Sequence, residues 1–405
     1  MAKTHHREEG NGKMEQLKKL EKETLRVIGL MSGTSADGMD AALTEISGSG
    51  TDTRVRTLGF VSLPYSDEIR REILRLASGT EGGSRDLCLF SFLMGELGLE
   101  ACRAVCEEAG VDPAEIDLVG SHGQTLYHLP EAQPYVGRMI RGTLQLGEAS
   151  VIAEGLGCPV VSDFRVRDFA AGGQGAPLVP YSEYLIYRRP DRTVGLQNIG
   201  GIGNLTVLPK GAGPDETVAF DTGPGNMVMD QITERLTGGA LRYDEGGKMA
   251  AQGNCSEALL RWLLEDPWLR LPPPKSTGRE VYGAPYVDRL MEKGKELGLS
   301  GTDILATATR FTAACIGLAV RDLCPVKPDE LVVGGGGSRN PTLLRDIRQE
   351  VSIPVLLNED LGLNSDAKEA VAFAILANEC VRGQQNNMPS VTGAAHPVVM
   401  GKISL

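Results

Sequence analysis

Asp221 has the setting of a catalytic general base. It follows the apolar segment 217–220, which predicts a strand, and it precedes a Gly-Pro-Gly turn. A carboxylate held beside a reacting carbon can take the proton from an attacking water, a role worth about 10²–10⁴ in rate. The same position also suits an aspartate that caps the following turn or helix, so from spacing alone both interpretations stay open.

Three glycine-rich segments, 31–40, 220–226 and 334–340, each follow an apolar stretch that predicts a strand. Proteins of the α/β class bind ligands at the carboxyl ends of strands, and glycine lets backbone N–H groups approach phosphate oxygens. Thr34 and Ser35 add hydroxyl donors. No segment fits the GxxxxGK[ST] phosphate loop or a convincing GxGxxG dinucleotide turn. Each alone also fits a structural turn, but three together favour a nucleotide site.

Two carboxylates, Asp37 and Asp40, lie in the first glycine-rich segment. Mg²⁺ prefers oxygen ligands and usually keeps several waters, so these carboxylates suit an indirect role, orienting the ion or its waters near phosphates. Asp37 equally suits the turn itself, because aspartate favours turn conformations.

The first glycine-rich segment has a counterpart later in the chain. Residues 27–30 and 39–46 predict a strand, a tight turn and a strand, and residues 193–199 and 205–208 repeat the pattern around Gly200 and Gly201. The pair Gly29–Leu30 recurs as Gly195–Leu196. Because the two pairs are separated by the length of a domain, we expect two structurally duplicated halves.

Apolar periodicity elsewhere alternates between strand and helix, which predicts an α/β fold. Further strands are predicted at 116–120, 159–161, 331–333 and 354–357. Helices are predicted at 67–77, 85–108, 147–156, 226–236, 256–264, 284–297, 302–323, 342–351 and 366–381.

Composition limits the classes of function. The 405 residues carry 41 Lys and Arg against 53 Asp and Glu, a formal charge of −12. This balance argues against a nucleic-acid partner or an anionic membrane surface. The eight cysteines form no CxxC pair and residues 1–25 are polar without a secretory apolar core, so we expect reduced thiols and a cytoplasmic protein.

Seven motifs, in order along the chain, resemble those of the anhydro-N-acetylmuramic acid kinase family. That family is similar to the hexokinase, Hsp70 and actin group. The motifs are GLMSGTSADGMD (29–40), SHGQT (121–125), DFRVRD with GGQGAPLVP (163–168 and 172–180), NIGGIGN (198–204), FDTGPGN (220–226), PKSTGRE (274–280) and VVGGGGSRN (332–340).

The resemblance implies a fold and a reaction. The fold would be two duplicated actin-like, ribonuclease H-like lobes with a cleft between them: 26–161 with 367–405 as lobe I, 162–366 as lobe II, and 1–25 as a polar extension. The reaction would use ATP, Mg²⁺ and water to convert 1,6-anhydro-N-acetylmuramic acid into N-acetylmuramic acid 6-phosphate and ADP. Its partners would be a small sugar and ATP, while a homodimer is left open.

The resemblance also implies site residues. Asp221 would be the base, and Asp37 and Asp40 would act on Mg²⁺. Sugar contacts would come from Gln124, Thr125, Arg167 and Glu369, although Glu369 equally suits a solvated helix face. ATP contacts would come from Gly33, Thr34, Ser35, Ala36, Asp37, Gly38, Met39, Asp40, Gly200, Gly201, Asn204, Gly334, Gly335, Gly336 and Asn340.

Several alternatives remain. Residues 275–279 would approach phosphates or merely cap a loop. His122 and His128 are six apart without a third ligand, which favours structural roles over a metal site. Two rival functions are a kinase of an ordinary amino sugar without the water step, and a nucleotide-gated clamp of the Hsp70 or actin kind.

Overall fold

The computed structural model describes residues 17–33, 36–273 and 275–405. The ATP-contact predictions for Thr34 and Ser35, and most of the predicted extension, lie outside them. The chain divides into two units: unit 1 runs to Ile186 and resumes from Asp366 to Leu405, and unit 2 is Tyr187–Ser365.

Unit 1 is built on a mixed sheet flanked by helices. The strands are β1 (Thr24–Ser32), β2 (Gly38–Ser47), β3 (Arg54–Pro64), β4 (Leu118–Tyr135), β5 (Arg138–Leu146), β6 (Val160–Ser162) and β12 (Lys402–Ser404). The helices are α1 (Asp67–Ala77), α2 (Ser84–Ala109), α3 (Ala149–Leu156), α4 (Phe164–Ala170), α5 (Val179–Tyr187, which ends at the boundary), α12 (Lys368–Val381) and α13 (Pro389–Thr392).

The sheet of unit 1 has the order β12-β6-β4-β1-β2-β3, with β5 paired to β4. Strands β1, β4 and β6 run parallel to one another, β2 is antiparallel to β1, and β3 is antiparallel to β2. The carboxyl ends of three parallel strands therefore meet at one edge, beside the first glycine-rich segment.

The two faces of β1 pack against different helices, because successive side chains alternate in a strand. Ile28 and Leu30 lie in the hydrophobic core that includes α2 and α3 residues. Gly29 faces α12, and a Cβ there would overlap the carbonyl oxygen of Ala370; Gly120 of β4 meets the carbonyl of Phe373 in the same way. Glycine at both positions therefore lets α12 lie directly on the sheet.

Unit 2 carries a second mixed sheet. Its strands are β7 (Val194–Ile199), β8 (Ile202–Leu208), β9 (Val218–Pro224), β10 (Glu330–Gly334) and β11 (Val355–Leu357). Its helices are α6 (Asn226–Leu236), α7 (Glu257–Leu264), α8 (Arg279–Tyr282), α9 (Ala284–Glu296), α10 (Gly301–Leu318) and α11 (Pro341–Glu350).

The predicted duplication is confirmed by the sheets themselves. Unit 2 has the order β11-β10-β7-β8-β9. Strands β7, β10 and β11 are parallel to one another, β8 is antiparallel to β7, and β9 is antiparallel to β8. This repeats the order and sense of β6-β4-β1-β2-β3 in unit 1. A single 3₁₀ turn precedes the third strand in both, at Gly50–Asp52 and at Pro214–Glu216. The predicted class, an α/β chain with two ribonuclease H-like lobes, is thus confirmed.

Helix α10 is the central helix of the unit 2 core. Together with the π-helical turn that follows, Gly301–Leu323 is long and apolar enough to cross a membrane by composition alone. However, 89% of its most apolar stretch is buried inside the protein, and Ile304, Leu305 and Phe311 belong to the core of the unit. Its hydrophobicity is therefore that of a core helix.

The units divide at 186/187 and 365/366, whereas the sequence predicted 161/162 and 366/367. The first boundary differs because α4 and α5 bond to the C-terminal segment of unit 1. Asp168, fully buried, accepts hydrogen bonds from Asn387 Nδ2 at 2.8 Å and Thr392 Oγ1 at 2.7 Å. Since these partners come from the far end of the chain, no local pattern revealed them.

Candidate functional site

Asp221 lies within β9, opposite Asn204 of β8. The prediction of a Gly-Pro-Gly turn directly after Asp221 is wrong, because the strand continues to Pro224 and α6 begins directly after Gly225. The carboxylate caps no helix: Oδ1 accepts a hydrogen bond from Asn204 Nδ2 at 3.0 Å, and Oδ2 accepts one from the backbone N–H of Thr277 at 2.9 Å.

These two donors fix the orientation of the Asp221 carboxylate while leaving each oxygen a further lone pair. Asn204, predicted as an ATP contact, has its amide engaged with Asp221, which makes it a positioning residue for the carboxylate. Thr277 lies in the segment 275–279, for which phosphate contact or loop capping was predicted. Its bond to Asp221 was not predicted, because a backbone donor carries no side-chain signal.

Lys275 adjoins Asp221 through the backbone, since the Asp221 N–H donates to the Lys275 carbonyl at 3.0 Å. Its ammonium group donates to the carbonyls of Trp268 at 3.3 Å and Leu269 at 2.9 Å and lies 4.1 Å from the Trp268 ring centroid. Burial lowers the Lys275 pKa. Of the two interpretations for residues 275–279, loop capping describes Lys275 here.

The tight turn of Gly200 and Gly201 between β7 and β8 holds the start of α6. The N–H of Gly225 donates to the Gly201 carbonyl at 2.9 Å, and that of Asn226 donates to the Gly200 carbonyl at 2.7 Å. A Cβ at Gly225 would overlap the Gly200 carbonyl oxygen. The turn therefore sets where β9 ends and α6 begins, immediately beside Asp221.

A cavity of about 300 Å³ opens in unit 2 between α6 and the glycine-rich segment after β10. Gly336 and Asn340, two of the predicted ATP contacts, line it, whereas Gly334 and Gly335 do not. Gly334 ends β10 opposite Asn198, and Gly335 has φ of +79°. Asn226 and Arg339, which belong to two of the predicted glycine-rich segments, also line it. The other lining residues, which were not predicted, are Met229, Asp230, Tyr243, Asp244 and Gly246.

Asn340 has a structural role beside its place on the cavity wall. Its Oδ1 accepts a hydrogen bond from the Leu343 N–H at 3.0 Å and so caps α11. Asn340 therefore both caps α11 and lines the cavity.

In unit 1, the described part of the first glycine-rich segment leads into β2. Ala36 is buried with φ of +55°, an unusual conformation for a residue with a Cβ. Asp37 is exposed and lies 3.6 Å from Arg70. Met39 is buried in the core, and Gly38 packs against the backbone of Leu63, where a Cβ would overlap the carbonyl oxygen.

Asp40 is half-buried on β2 and forms a hydrogen bond with Ser62. Burial raises its pKa, and repulsion from Asp366 adds to this effect. Within the described residues no group of three or more His, Cys, Asp or Glu side chains could hold a metal ion. The oxygen donors of Asp37 and Asp40 fit the water-mediated role predicted for Mg²⁺, because such an ion needs few carboxylates.

Gln124 is fully buried beside the glycine-rich segment. Its Nε2 donates to the carbonyls of Gly33 and Thr125, both at 3.2 Å, and its Oε1 accepts a hydrogen bond from Ser32 Oγ at 2.6 Å. This amide positions the segment instead of facing a ligand. Thr125 Oγ1 accepts from Gln145 Nε2 at 3.3 Å and keeps its own proton to donate.

Arg167 is exposed on α4, and its neighbour Arg165 occupies the interior instead. Arg165 donates through Nε and Nη2 to His122 Nε2 at 3.0 and 2.9 Å, and through Nη1 to the Gly175 carbonyl at 2.7 Å. Burial lowers the His122 pKa to about 3, so this ring is neutral. His122 therefore serves as an acceptor for Arg165, in line with the predicted structural role.

Glu369 lies near the start of α12 and its side chain is exposed to solvent. Enough protein nevertheless surrounds its carboxyl group to change the pKa. Burial raises its pKa, followed by repulsion from Asp40, while Lys368 and Arg165 act in the opposite sense. Asp40 and Glu369 are thus near enough to interact, which brings two predicted residues of unit 1 together.

Comparison with known proteins gives a consistent result. Residues 25–405 match the family described as anhydro-N-acetylmuramic acid kinase. A protein of that name from Caldanaerobacter subterraneus subsp. tengcongensis is 51% identical over 387 residues, covering 95% of this chain and 98% of the relative. A protein of the same name from Bacillus cereus strain Q1 is 44% identical over 383 residues, covering 93% and 98%.

Similarity to solved structures is more distant. A ROK family glucokinase from Streptomyces griseus, in complex with glucose and AMPPNP, matches with a TM-score of 0.34 and 15% identity over 87% of this chain and 99% of that one. The family match and the two close relatives confirm the resemblance carried by the seven motifs, and the chain belongs to the anhydro-N-acetylmuramic acid kinase family.

Proposed function

We propose that this chain opens 1,6-anhydro-N-acetylmuramic acid with water and phosphorylates its O6 with ATP, giving N-acetylmuramic acid 6-phosphate and ADP. Water attacks the anomeric carbon, the C1–O6 bond breaks, and O6 forms a bond to the γ-phosphorus as ADP leaves. One proton of the water goes to the base. Such a reaction returns a cell-wall sugar to metabolism.

Asp221 is the base in this proposal. The observation that carries it is the pair of N–H donors, from Asn204 and Thr277, that orients the carboxylate on β9. The first requirement of a general base is such fixed geometry, and a suitable pKa is the second. The lone pair left on each oxygen can accept the water.

Several other predicted residues keep, in this proposal, the roles that the family implies. The backbone around Gly33, Gly38, Gly200, Gly201 and Gly336 would meet the nucleotide, with Gln124 holding the first of these segments through the Gly33 carbonyl. Thr125, Arg167 and Glu369 would bind the sugar, where the planar guanidinium of Arg167 matches the lactyl carboxylate. Mg²⁺, oriented by Asp37 and Asp40, would neutralise charge on the phosphates.

Labelled water tests the proposal. Purified protein, ATP, Mg²⁺ and the anhydro sugar are incubated in H₂¹⁸O, and the product is examined by mass spectrometry and ³¹P NMR. We expect a 6-phosphorylated, ring-opened sugar with one ¹⁸O at C1, recorded before anomeric exchange. A phosphosugar formed only from N-acetylglucosamine or another ordinary amino sugar, with no label, would establish the simpler kinase instead. ATP hydrolysis insensitive to every sugar would favour the clamp.

A further inference from the structure

One carboxylate in the unit 2 cavity has no role in the chemistry above. Asp230 lies on α6 one turn after Asn226, so the two residues share a face of the helix. Both line the cavity, together with Gly336, Arg339 and Asn340. The cavity volume of about 300 Å³ lies at the lower end of the range typical of small-molecule sites.

The Asp230 carboxylate forms no hydrogen bond or ion pair with any residue that the structure describes. Burial alone raises its pKa to about 6, and no cation on the cavity wall lowers it. The nearby Asp244 is different: its two oxygens accept the N–H groups of Met249 at 2.8 Å and Ala250 at 2.9 Å. Asp244 thus shapes the cavity wall, while both oxygens of Asp230 remain available to a ligand.

Asp230 is partly buried, and no donor among the described residues reaches its carboxylate, so its complement is to be sought in the ligand. The edge of adenine offers the carboxylate one donor, N6, beside an acceptor, N1, that would repel it. The vicinal 2′- and 3′-hydroxyls of a ribose offer two donors side by side, which match the two oxygens of one carboxylate.

We propose that Asp230 binds the ribose 2′- and 3′-hydroxyls of the nucleotide and makes the enzyme selective for ribonucleotides. The inference rests on the proposed function, because it presumes that this cavity holds the nucleoside. It agrees with the position of Gly336, whose backbone lets a ligand approach without obstruction by a side chain.

Calorimetric titration tests the assignment without requiring turnover. Wild-type protein, Asp230→Asn and Asp230→Leu are titrated with ADP, 2′-deoxy-ADP, 3′-deoxy-ADP and inosine diphosphate in the presence of Mg²⁺. Each lost hydrogen bond to a charged group is worth about 10- to 100-fold in affinity. We expect wild type to prefer ADP over each deoxy form by about that factor, and Asp230→Leu to bind all three with nearly equal affinity.

Glu234→Gln provides the matched control. Glu234 lies one turn further along α6 and is exposed, away from the cavity lining. This variant should keep the wild-type ratio of deoxy to ribose affinities. Circular dichroism and thermal unfolding of all variants separate a local change from misfolding.

Each other outcome has a definite meaning. Equal wild-type affinity for ADP and both deoxy forms overturns the ribose assignment while leaving the kinase proposal intact. A loss of discrimination against inosine diphosphate in Asp230→Asn, with the deoxy ratios unchanged, would place the carboxylate at the base and also overturn it. Failure of wild type to bind any nucleotide would instead refute the proposed function.

Discussion

The two units place different side chains on the same backbone frame. The third residue of the middle hairpin strand is Asp40 in unit 1 and Asn204 in unit 2, and each lies opposite a polar residue of the third strand, Ser62 or Asp221. Both pairs are hydrogen-bonded. The carboxylate thus lies on the middle strand in unit 1 and on the edge strand in unit 2.

That exchange alters what each carboxylate can do. Asp221 receives two N–H donors, one of them from a separate loop. Asp40 has one hydroxyl partner and two acidic neighbours, Asp366 and Glu369. A carboxylate surrounded by other carboxylates suits a cation, whereas one held by neutral amides suits proton transfer. Duplication supplied the positions, and the chemistry came from the side chains placed on them.

The connections of the two units differ as well. The turn between β7 and β8 is only Gly200 and Gly201, whereas residues 33–37 join β1 to β2. Unit 1 extends β4 into a long hairpin with β5, while unit 2 inserts α7, α8 and α9 between its third and fourth strands. The common frame therefore tolerates additions where its strands end.

The largest expected effect separates the two carboxylates. We expect Asp221→Asn to lower kcat at least about 100-fold with ADP affinity unchanged, because the general base is lost while the side chain keeps nearly the same size. Asp40→Asn should act mainly through the Mg²⁺ dependence of the rate. Steady-state kinetics over a range of Mg²⁺ concentrations measure both. Near wild-type turnover in Asp221→Asn would remove the distinction drawn between the two units.

The next effect concerns the glycine-rich segment after β10. Gly335→Ala should destabilise the protein by about 2–3 kcal/mol, because φ is +79° and the new Cβ would lie 2.7 Å from Asn198 Oδ1 and from the Ile199 carbonyl oxygen. Gly362→Ala is the control: its φ is +72°, but no atom lies within 4 Å of a Cβ. This variant should lose only about 1 kcal/mol. Urea unfolding measures both, and equal losses would show that crowding at Gly335 is unimportant.

The smallest expected effect is a pH-dependent gain in the stability of the Asp230→Asn variant. The pKa of Asp230 is raised to about 6 in the fold, against ~3.9 for an unfolded aspartate, so the folded state binds more protons and stability falls as pH rises from about 4 to 6. Asp230→Asn removes this loss, which we put at about 1 kcal/mol because solvent screens a partly exposed group.

Ligand-free thermal unfolding checks this expectation. The Asp230→Asn variant should melt roughly 2–4 °C above wild type at pH 8, and the difference should shrink toward pH 5. Glu234→Gln should show no such trend. A constant difference across the pH range would mean that the Asp230 charge is not the cause.

Sequence patterns predicted well those elements whose signals are local. Helix α1 has the predicted bounds, because Ser66 accepts the Ile69 N–H as its cap and an apolar stripe runs through Ile73 and Leu76. Helix α6 likewise has its predicted bounds. The first two strands of each unit lie where the glycine hairpins indicated.

Other elements depend on partners that are remote in sequence. Strand β3 was not predicted, since as an edge strand it alternates exposed and part-buried residues and includes Arg54 and Arg56. The predicted strand at 116–120 proved to be the start of the much longer β4, whose exposed half pairs with β5. At the site, motif positions gave Asp221 but not its bond to Thr277.

Gly29 and Gly120 carry a consequence for the order of assembly. The helix that covers them, α12, is synthesised only after the whole of unit 2. Until then one face of the unit 1 sheet lacks its cover, whereas Tyr187–Ser365 is continuous and can fold as soon as it emerges. On the ribosome, the unit that begins first is therefore the one that is completed last.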